Sequence, residues 1–254
     1  MNAGHITSRS NQWVRALRAL GTSRRRRYEE RCFVCDGRKL LGEALQSGMR
    51  IRYLFLEEGA ALPPEWRLDC PVYTAPRDIM EYISTLECTQ GVIFCCEMPE
   101  IAFPAGEQLI LLDHLQDTGN LGTILRTADA FGAAGVVLSG CADPYNPKTV
   151  RAAMGSLFRV PIVDAPLCEV IPALSARGIK TYAAVLSDRA RPIGAVSLAR
   201  AAVVIGNEGN GVSREVAALC DAHVILPMSG GAESLNASVA AGIVLWEMQR
   251  AREG

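Results

Sequence analysis

Residues 225–247 read ILPMSGGAESLNASVAAGIVLWE, and this stretch decides how the last third of the chain folds. An apolar strand ends at Pro227, a loop of small residues follows it, and a run with helical spacing comes next. Glycines in the loop let a ligand approach the main chain, because glycine has no side chain. Ser234 and Asn236 stand where a side chain can accept hydrogen bonds from the first N–H groups of that helix. By itself the stretch is equally compatible with a capped helix alone and with a ligand-binding loop.

Two upstream segments also place polar residues at the start of a predicted helix or in a glycine-rich loop. Residues 117–132 read DTGNLGTILRTADAFG, in which the apolar positions predict one face of a helix that ends at a glycine. Asn120 stands at the entry of this helix, and Arg126 lies off its apolar face. Residues 206–213 read GNEGNGVS, follow an apolar strand and carry one carboxylate, Glu208. Each of these polar residues, taken singly, also fits a cap, a solvated surface or a turn.

Glycine spacing argues against two nucleotide-binding motifs. Gly206, Gly209 and Gly211 form GxxGxG, whereas a dinucleotide-binding loop has GxGxxG in an early βαβ unit, with an acidic residue about 20 positions later. The phosphate-binding pattern GxxxxGK[ST] does not occur in the chain. A nicotinamide-dependent enzyme is therefore a minor alternative, and an ATPase-type loop has no support.

Together, in order and spacing, the three segments resemble the three motifs of the SpoU/TrmH family, the SPOUT class of RNA ribose 2′-O-methyltransferases. The matching positions are Asn120, Gly122 and Arg126 in the first motif, Asn207, Glu208 and Gly209 in the second, and Leu226, Pro227, Met228, Ser234, Leu235, Asn236 and Ser238 in the third. The resemblance covers residues 107–251 and includes the segment 141–163. Three motifs in the family's order make it a specific match.

The resemblance also implies the chemistry of the site. The implied cofactor is S-adenosyl-L-methionine, and no metal ion is required. The implied catalytic set is Arg126, Asn120, Glu208, Ser234 and Asn236, and the implied cofactor contacts are Gly206, Asn207, Ile225, Leu226, Met228 and Leu235. Arg126 is expected to contact the phosphate and the 2′-oxygen of the target nucleotide. The family view often makes this arginine the proton acceptor, but a guanidinium holds its proton tightly, so we favour an orienting and electrostatic role.

The chain reads as two α/β domains. After residue 107, strands that are apolar on both faces alternate with helices, which predicts a mainly parallel sheet covered by helices. For this SPOUT-type domain the resemblance implies a deep trefoil knot and a homodimer with active sites beside the subunit interface. Residues 99–108, with two prolines, a glycine and little periodicity, precede it as a linker. We therefore predict a methyltransferase domain over residues 107–254 and a small RNA-binding domain over residues 1–100, which resembles the substrate-binding domain of some family members.

The net charge of −1 conceals a basic N-terminal segment, because residues 1–40 hold ten Lys and Arg against three acids. Arg24, Arg25, Arg26 and Arg27 form an unbroken run in this segment, and such clusters suit phosphate backbones. We predict these four arginines and Arg151 as RNA contacts. The alternative is a solvated helix face whose charge is balanced by acids elsewhere in the chain.

Composition favours the cytoplasm over a membrane or a secreted scaffold. No run of 18 apolar residues and no charged-then-apolar leader is present, so neither a membrane span nor a signal peptide is expected. The nine cysteines lack the spacing of a disulfide framework, which favours a reducing compartment. Cys32 and Cys35 form a CxxC, but in a strand such positions point to opposite faces. We therefore expect neither zinc nor redox chemistry there.

These observations predict an S-adenosylmethionine-dependent RNA ribose 2′-O-methyltransferase. Ribosomal RNA is favoured over transfer RNA as the substrate because of the additional N-terminal domain. RNA carries the 2′-hydroxyl that DNA lacks. Two alternatives remain: a transfer RNA 2′-O-methyltransferase, and a non-catalytic RNA-binding or ribosome-assembly factor. The complete set of motif residues argues against the second alternative.

Overall fold

The computed structural model describes residues 2–187, 190–231 and 233–253, and these form two compact units. The first unit contains Met1–Glu100 and Asp143–Phe158, and the second contains Ile101–Ala142 and Arg159–Gly254. This division differs from the predicted one at a single segment. Asp143–Phe158 belongs with the first unit because its aromatic residues pack against Phe33, with ring centroids 4.8 Å from Tyr145 and 6.3 Å from Phe158.

The first unit is built on a mixed five-stranded sheet. Its elements before the linker are β1 (Asn2–His5), α1 (Gln12–Thr22), α2 (Arg24–Glu30), β2 (Cys32–Asp36), α3 (Arg38–Gln46), β3 (Ile51–Glu57), β4 (Val72–Ala75), α4 (Arg77–Ile83) and β5 (Val92–Glu97). The strand order is β1-β4-β3-β5-β2, in which β5 runs antiparallel to β2 and β3 while β1 and β3 run parallel to β4. The apolar faces of α1 and α4 cover the sheet through Leu17, Leu20 and Ile79.

The rest of the chain supplies a second sheet. Its elements are β6 (Gln108–Asp113), α5 (Thr118–Ala130), β7 (Gly135–Ser139), α6 (Pro147–Ala153), β8 (Ile162–Asp164), α7 (Leu167–Ala176), β9 (Lys180–Ala184), β10 (Arg191–Pro192), β11 (Ala201–Ile205), α8 (Arg214–Leu219), β12 (Ala222–Ile225) and α9 (Ala237–Glu253), with 3₁₀ turns at Ser156–Phe158 and Ile193–Ala195. Among them, α6 and the first 3₁₀ turn belong to the first unit.

The second sheet confirms the predicted α/β class with a mainly parallel sheet. Its strand order is β10-β12-β9-β11-β6-β7-β8, and every pair of neighbours between described residues is parallel. The central strands β6 and β11 are buried along their whole length, which explains their unbroken apolar runs. Because the strands are parallel, the loops that follow β6, β9, β11 and β12 all leave from one edge, where ligands bind in open α/β sheets.

Local hydrogen bonds decide where the two site helices begin. Asp117 caps α5, because its Oδ1 accepts the N–H of Asn120 at 2.7 Å. Asn120 therefore lies in the first turn of the helix, and its side chain is available for other bonds. Asn236 precedes α9, and its Oδ1 accepts the N–H groups of Ser238 and Val239 at 2.9 and 3.3 Å. Of the two residues expected to cap this helix, only Asn236 makes the capping bonds.

No helix in the described part of the chain has the length and apolar character needed to cross a membrane.

Candidate active site

The loop after β11 is folded back on itself by its own polar groups. Asn207 and Gly211 exchange main-chain hydrogen bonds of 3.0 and 2.9 Å. The side-chain Oδ1 of Asn207 accepts the N–H groups of Gly209 and Asn210 at 2.9 and 3.1 Å. Its Nδ2 donates to the carbonyl oxygen of His114 at 2.8 Å, which ties the loop to the end of β6. Asn207 therefore shapes the loop from within.

Gly206 is required for a reason that the sequence did not reveal. A Cβ at this position would lie 2.0 Å from the carbonyl carbon of Gly211 and 2.1 Å from the nitrogen of Val212. These are main-chain atoms of the returning loop, so they cannot move aside as a flexible side chain could. The sequence interpretation attributed this glycine to close approach of a ligand. In the structure, the close approach is made by the protein's own main chain.

Glu208 joins this loop to the start of α5. Its Oε1 accepts the N–H of Asp117 at 2.9 Å, and its Oε2 accepts the N–H of Gln116 at 3.2 Å. The Nδ2 of Asn120 donates to the same Oε1 at 3.3 Å. Partial burial acts to raise the pKa of Glu208, but these N–H donors outweigh burial, so the pKa lies below its usual value. The side chain is therefore an ionised acceptor that organises the loop between β6 and α5.

A chain of side-chain hydrogen bonds connects all three sequence motifs. Asn120 donates to Glu208 through Nδ2 and accepts at Oδ1 from the Nδ2 of Asn236, with a distance of 3.0 Å. Asn236 in turn uses its own Oδ1 to cap α9. Each amide thus donates on one side and accepts on the other, which gives the chain one consistent direction. Residues that are 88 and 116 positions apart in sequence therefore form a single polar unit.

Beside this polar unit lies a cavity of about 440 Å³. All the predicted cofactor-binding residues line it: Gly206, Asn207, Ile225, Leu226, Met228 and Leu235. Glu208 and Ser234 of the predicted catalytic set line it as well. The segment 184–186 at the end of β9 also lines the cavity, and sequence reasoning missed it because it carries no motif. Only the strand order, which puts β9 between β11 and β12, indicates its place.

Arg126 lies on α5, six residues beyond Asn120 and therefore about 9 Å farther along the helix axis. Its side chain is exposed. Within the described ranges its guanidinium makes neither an ion pair nor a hydrogen bond. Ser234 is exposed too and likewise makes no side-chain hydrogen bond there. The structure thus joins Asn120, Glu208 and Asn236 by direct hydrogen bonds. The side chains of Arg126 and Ser234 make no hydrogen bond with the described residues.

The predicted RNA contact at Arg27 is wrong. This side chain is only 2% exposed, and its Nε and Nη2 both donate to Oδ2 of Asp143, at 2.8 and 2.6 Å. Its Nη1 donates to the carbonyl oxygen of Leu20 at 2.7 Å. A residue 116 positions away thus pairs with this guanidinium in the core of the first unit. An unbroken run of arginines cannot reveal such a partner.

The other predicted RNA contacts lie on the surface of the first unit. Arg24, Arg25 and Arg26 are exposed on α2, and Arg151 is exposed on α6. Arg25 pairs with Glu29 at 2.6 Å, and Arg26 pairs with Glu30 at 2.9 Å. RNA contact by these four arginines stays a prediction.

The cysteines show no metal site in the described residues. No group of three or more His, Cys, Asp or Glu side chains is arranged there to hold a metal ion. Cys32 and Cys35 are free and buried within β2. Burial raises the pKa of the Cys35 thiol well above its usual value, which keeps that group protonated and unreactive.

Both units match known protein families. Residues 107–246 match the SpoU rRNA Methylase family, and residues 11–93 match the MRM3-like substrate binding domain. A Bacillus subtilis protein named 23S rRNA (guanosine(2553)-2′-O)-methyltransferase RlmP is 34% identical over 246 residues, which cover 96% of this chain and 98% of that protein. A Streptomyces viridochromogenes protein named 23S rRNA (uridine(2479)-2′-O)-methyltransferase is 33% identical, with coverage of 98% and 93%.

Solved structures extend the similarity to the whole fold. The AdoMet-bound rRNA methyltransferase from Sinorhizobium meliloti has a TM-score of 0.87 at 32% identity, with 97% of each chain covered. The SpoU methyltransferase AviRb from Streptomyces viridochromogenes, in complex with AdoMet, has a TM-score of 0.86 at 29% identity, with 96% of this chain and 99% of that chain covered. Since one family match spans more than half of the chain and these relatives align along nearly all of it, the protein belongs to the SpoU rRNA methylase family.

Proposed function

We propose that the protein transfers a methyl group from S-adenosylmethionine to a ribose 2′-oxygen of ribosomal RNA. Family membership, the names of the 23S rRNA methyltransferases that it resembles, and the AdoMet-bound structures of two neighbours support this activity. The observation that carries the proposal is the hydrogen-bond chain from Glu208 through Asn120 to Asn236. It holds three distant motifs together beside a cavity formed by the strand ends.

The cavity fits the cofactor in size and in the chemistry of its walls. Its volume of about 440 Å³ lies within the range of small-molecule sites. Leu226, Met228 and Leu235 offer apolar surface for an adenine ring, and the main chain at Gly206 offers polar groups for its edge. The bound cofactor would supply an electrophilic methyl group on a sulfonium. These residues would hold it by main-chain hydrogen bonds and apolar contact, with no metal ion.

Arg126 is the residue we assign to the RNA. Its exposed guanidinium can bind the phosphate of the target nucleotide in a two-pronged way and lie against the 2′-oxygen. Because a guanidinium keeps its proton, Arg126 orients the nucleotide and stabilises the charge that develops on the oxygen, and the hydroxyl proton leaves to water. Asn120, Glu208, Ser234 and Asn236 position the loops and the ribose. Since methyl transfer joins a cation to a developing alkoxide, positioning supplies most of the acceleration.

We further propose a homodimer and a trefoil knot in the second unit, both supported by family membership. One face of the chain at α9 adds independent support for the dimer. Val239, Ile243 and Trp246 of α9 recur at helical spacing and are exposed, with Trp246 48% exposed. A continuous apolar row of this kind marks an interaction surface, and a second copy would bury it. A cytoplasmic location is proposed as well, on the strength of nine free cysteines.

The test is methyl transfer to defined RNA. Purified protein with methyl-labelled S-adenosylmethionine should label an unmethylated 23S rRNA transcript, and the labelled nucleotide should resist alkaline cleavage because its 2′-hydroxyl is blocked. Labelling of transfer RNA alone would support the transfer RNA alternative. Cofactor binding without transfer to either RNA would favour a non-catalytic RNA-binding factor, and absence of cofactor binding would refute the proposal.

A further inference from the structure

The first unit contains a groove of about 460 Å³ that the proposed methyl transfer does not use. The end of α1 forms one side of it, with Arg18 and Thr22. Residues 83–87, at and just after the end of α4, and the start of α6 with Lys148 complete its lining. All these residues belong to the same unit, although α6 follows α1 by more than a hundred residues. The groove therefore exists only because the segment Asp143–Phe158 packs against the first unit.

Arg18 is held in position without a counter-charge. Its Nη1 donates to the carbonyl oxygen of Tyr82 at 3.0 Å, and its guanidinium lies 5.2 Å from the centre of the Tyr82 ring. Arg9 lies 4.8 Å from the centre of the same ring. Neither arginine pairs with a carboxylate of the described chain. Because the Arg18 side chain is already ordered, binding of an anion to it costs little side-chain entropy.

Lys148 supplies a second cation to the lining of the groove. Its side chain is exposed and has no carboxylate partner within the described ranges. Glu87 is the one acid among the described residues that line the groove. The arginines of α2 differ, because Arg25 and Arg26 pair with carboxylates one turn away. Arg25 and Arg26 are thus partly neutralised by acids of their own helix, whereas Arg18 at the groove has no carboxylate partner among the described residues.

The other residues that line the groove fit a nucleotide. Leu86 and Pro147 give apolar surface that a base or a ribose can contact, and the hydroxyl of Thr85 lies among them. Grooves that bind single-stranded nucleic acid combine positive charge along the backbone with such surfaces for the bases. Specific RNA recognition also usually targets unpaired nucleotides.

We propose that this groove binds the phosphate–ribose backbone of an unpaired segment of the substrate RNA, with Arg18 and Lys148 each contacting a phosphate. The proposal rests on the RNA substrate proposed above and is independent of the chemistry of methyl transfer. It replaces the arginine run of α2 with the groove as the main RNA contact of the first unit.

The experiment compares two charge-matched double variants of the full chain. Arg18→Ser with Lys148→Ser removes both groove cations, whereas Arg50→Ser with Arg77→Ser removes two exposed cations that pair with Glu97 and Glu81. The probe is short single-stranded poly(U) RNA, and its dissociation constant is measured against salt concentration. Thermal melting verifies that each variant folds.

The slope of log affinity against log salt is negative, and each lost phosphate contact should make it shallower by about 0.7, so the slope of the groove variant should be smaller in magnitude by about 1.4. At 0.1 M salt this corresponds to an affinity about 25-fold weaker, because each contact contributes a factor of about 5. The control variant should keep the wild-type slope. The exchange Arg18→Lys with Lys148→Arg retains both charges and should keep the slope as well.

Several results would overturn the groove proposal. They are an unchanged slope in the groove variant, an equal loss in the control, and a wild type that does not bind poly(U). Photo-crosslinking of 4-thiouridine RNA to peptides outside the groove would also overturn it. Cofactor binding is measured separately by calorimetry. An unchanged slope with intact cofactor binding and rRNA methylation refutes the groove alone, whereas a shallower slope in a protein that binds no cofactor refutes the proposed function alone.

Discussion

Arg126 on α5 and the arginines of α2 are the same residue type in two regions of the molecule, and their surroundings differ. On α2, Arg25 and Arg26 pair with acids of their own helix, and Arg27 is buried against Asp143. Arg126 has no basic neighbour in the sequence, lies exposed on α5 six residues beyond Asn120, and makes no ion pair with the described residues. The denser cluster of charge is thus the one that is mostly neutralised within the protein. Whether a charged side chain is free to bind RNA depends on its partners in the folded protein. The density of charge along the sequence does not show those partners.

The largest expected effect is at Arg126. Arg126→Ala should lower methyl transfer by on the order of 10³-fold, about 4 kcal/mol, because a contact to the transition state is lost. Cofactor affinity measured by calorimetry should stay near that of the wild type. Arg126→Lys should not restore activity, since a point charge lacks the two-pronged geometry. As a control, Arg250→Ala removes an arginine of the same unit that pairs with Glu247 and should leave turnover unchanged. Near-normal turnover of the lysine variant would contradict the assigned role.

The next effect concerns stability at Arg27. Arg27→Ala should lower the free energy of unfolding in urea by about 3 kcal/mol, because it leaves the Asp143 carboxylate buried without its partner. Arg25→Ala breaks a solvent-exposed pair of the same helix and should leave the free energy of unfolding close to that of the wild type. The combination Arg27→Met with Asp143→Leu should recover much of the loss. Equal destabilisation by the variants at Arg25 and Arg27 would mean that burial does not determine how much each arginine contributes to stability.

A smaller effect is expected at Gly206. Gly206→Ala should weaken cofactor binding by about 100-fold, or about 2.7 kcal/mol, because the new Cβ displaces the loop that lines the cavity. Calorimetric titration with S-adenosylmethionine measures the loss. The matched control is Gly194→Ala in the same unit, where a Cβ meets no atom within 4 Å. Unchanged affinity in the Gly206 variant would show that the loop geometry does not govern the cavity.

The smallest effect follows from the lowered pKa of Glu208. A carboxyl group whose folded-state pKa is depressed stabilises the fold above its unfolded pKa and loses that contribution as pH falls through the lower folded pKa. Glu208→Gln should therefore reduce the difference in stability between pH 7 and acid pH, by less than about 1 kcal/mol for this exposed group. Urea unfolding at a series of pH values measures it. Identical pH profiles for the two proteins would show that the carboxylate adds nothing to the stability of the loop.

Much of the fold could be predicted from local pattern. The strands β6 and β11 were evident because both faces are buried, so nearly every side chain is apolar. Short strands gave weaker signals: β4 has four residues that are mostly half-buried, and β10 has two exposed residues. Those strands form through pairing with neighbours rather than through their own composition. Similarly, the six predicted cofactor residues line the cavity, whereas the segment at the end of β9 carries no motif and was missed.

The sequence by itself determined the α/β class, the apolar strands, the family and the identity of the polar residues in the three motifs. Hydrophobic periodicity and short motifs record local geometry, which is the same wherever the segment lies. Only the tertiary structure decided which polar groups meet. It joined Glu208 to Asn120 and Asn236, buried Arg27 against Asp143, and put the segment Asp143–Phe158 with the first unit. The physical reason is that hydrogen bonds and ion pairs act over a few ångströms of space, and the path of the whole chain determines which distant residues come that close.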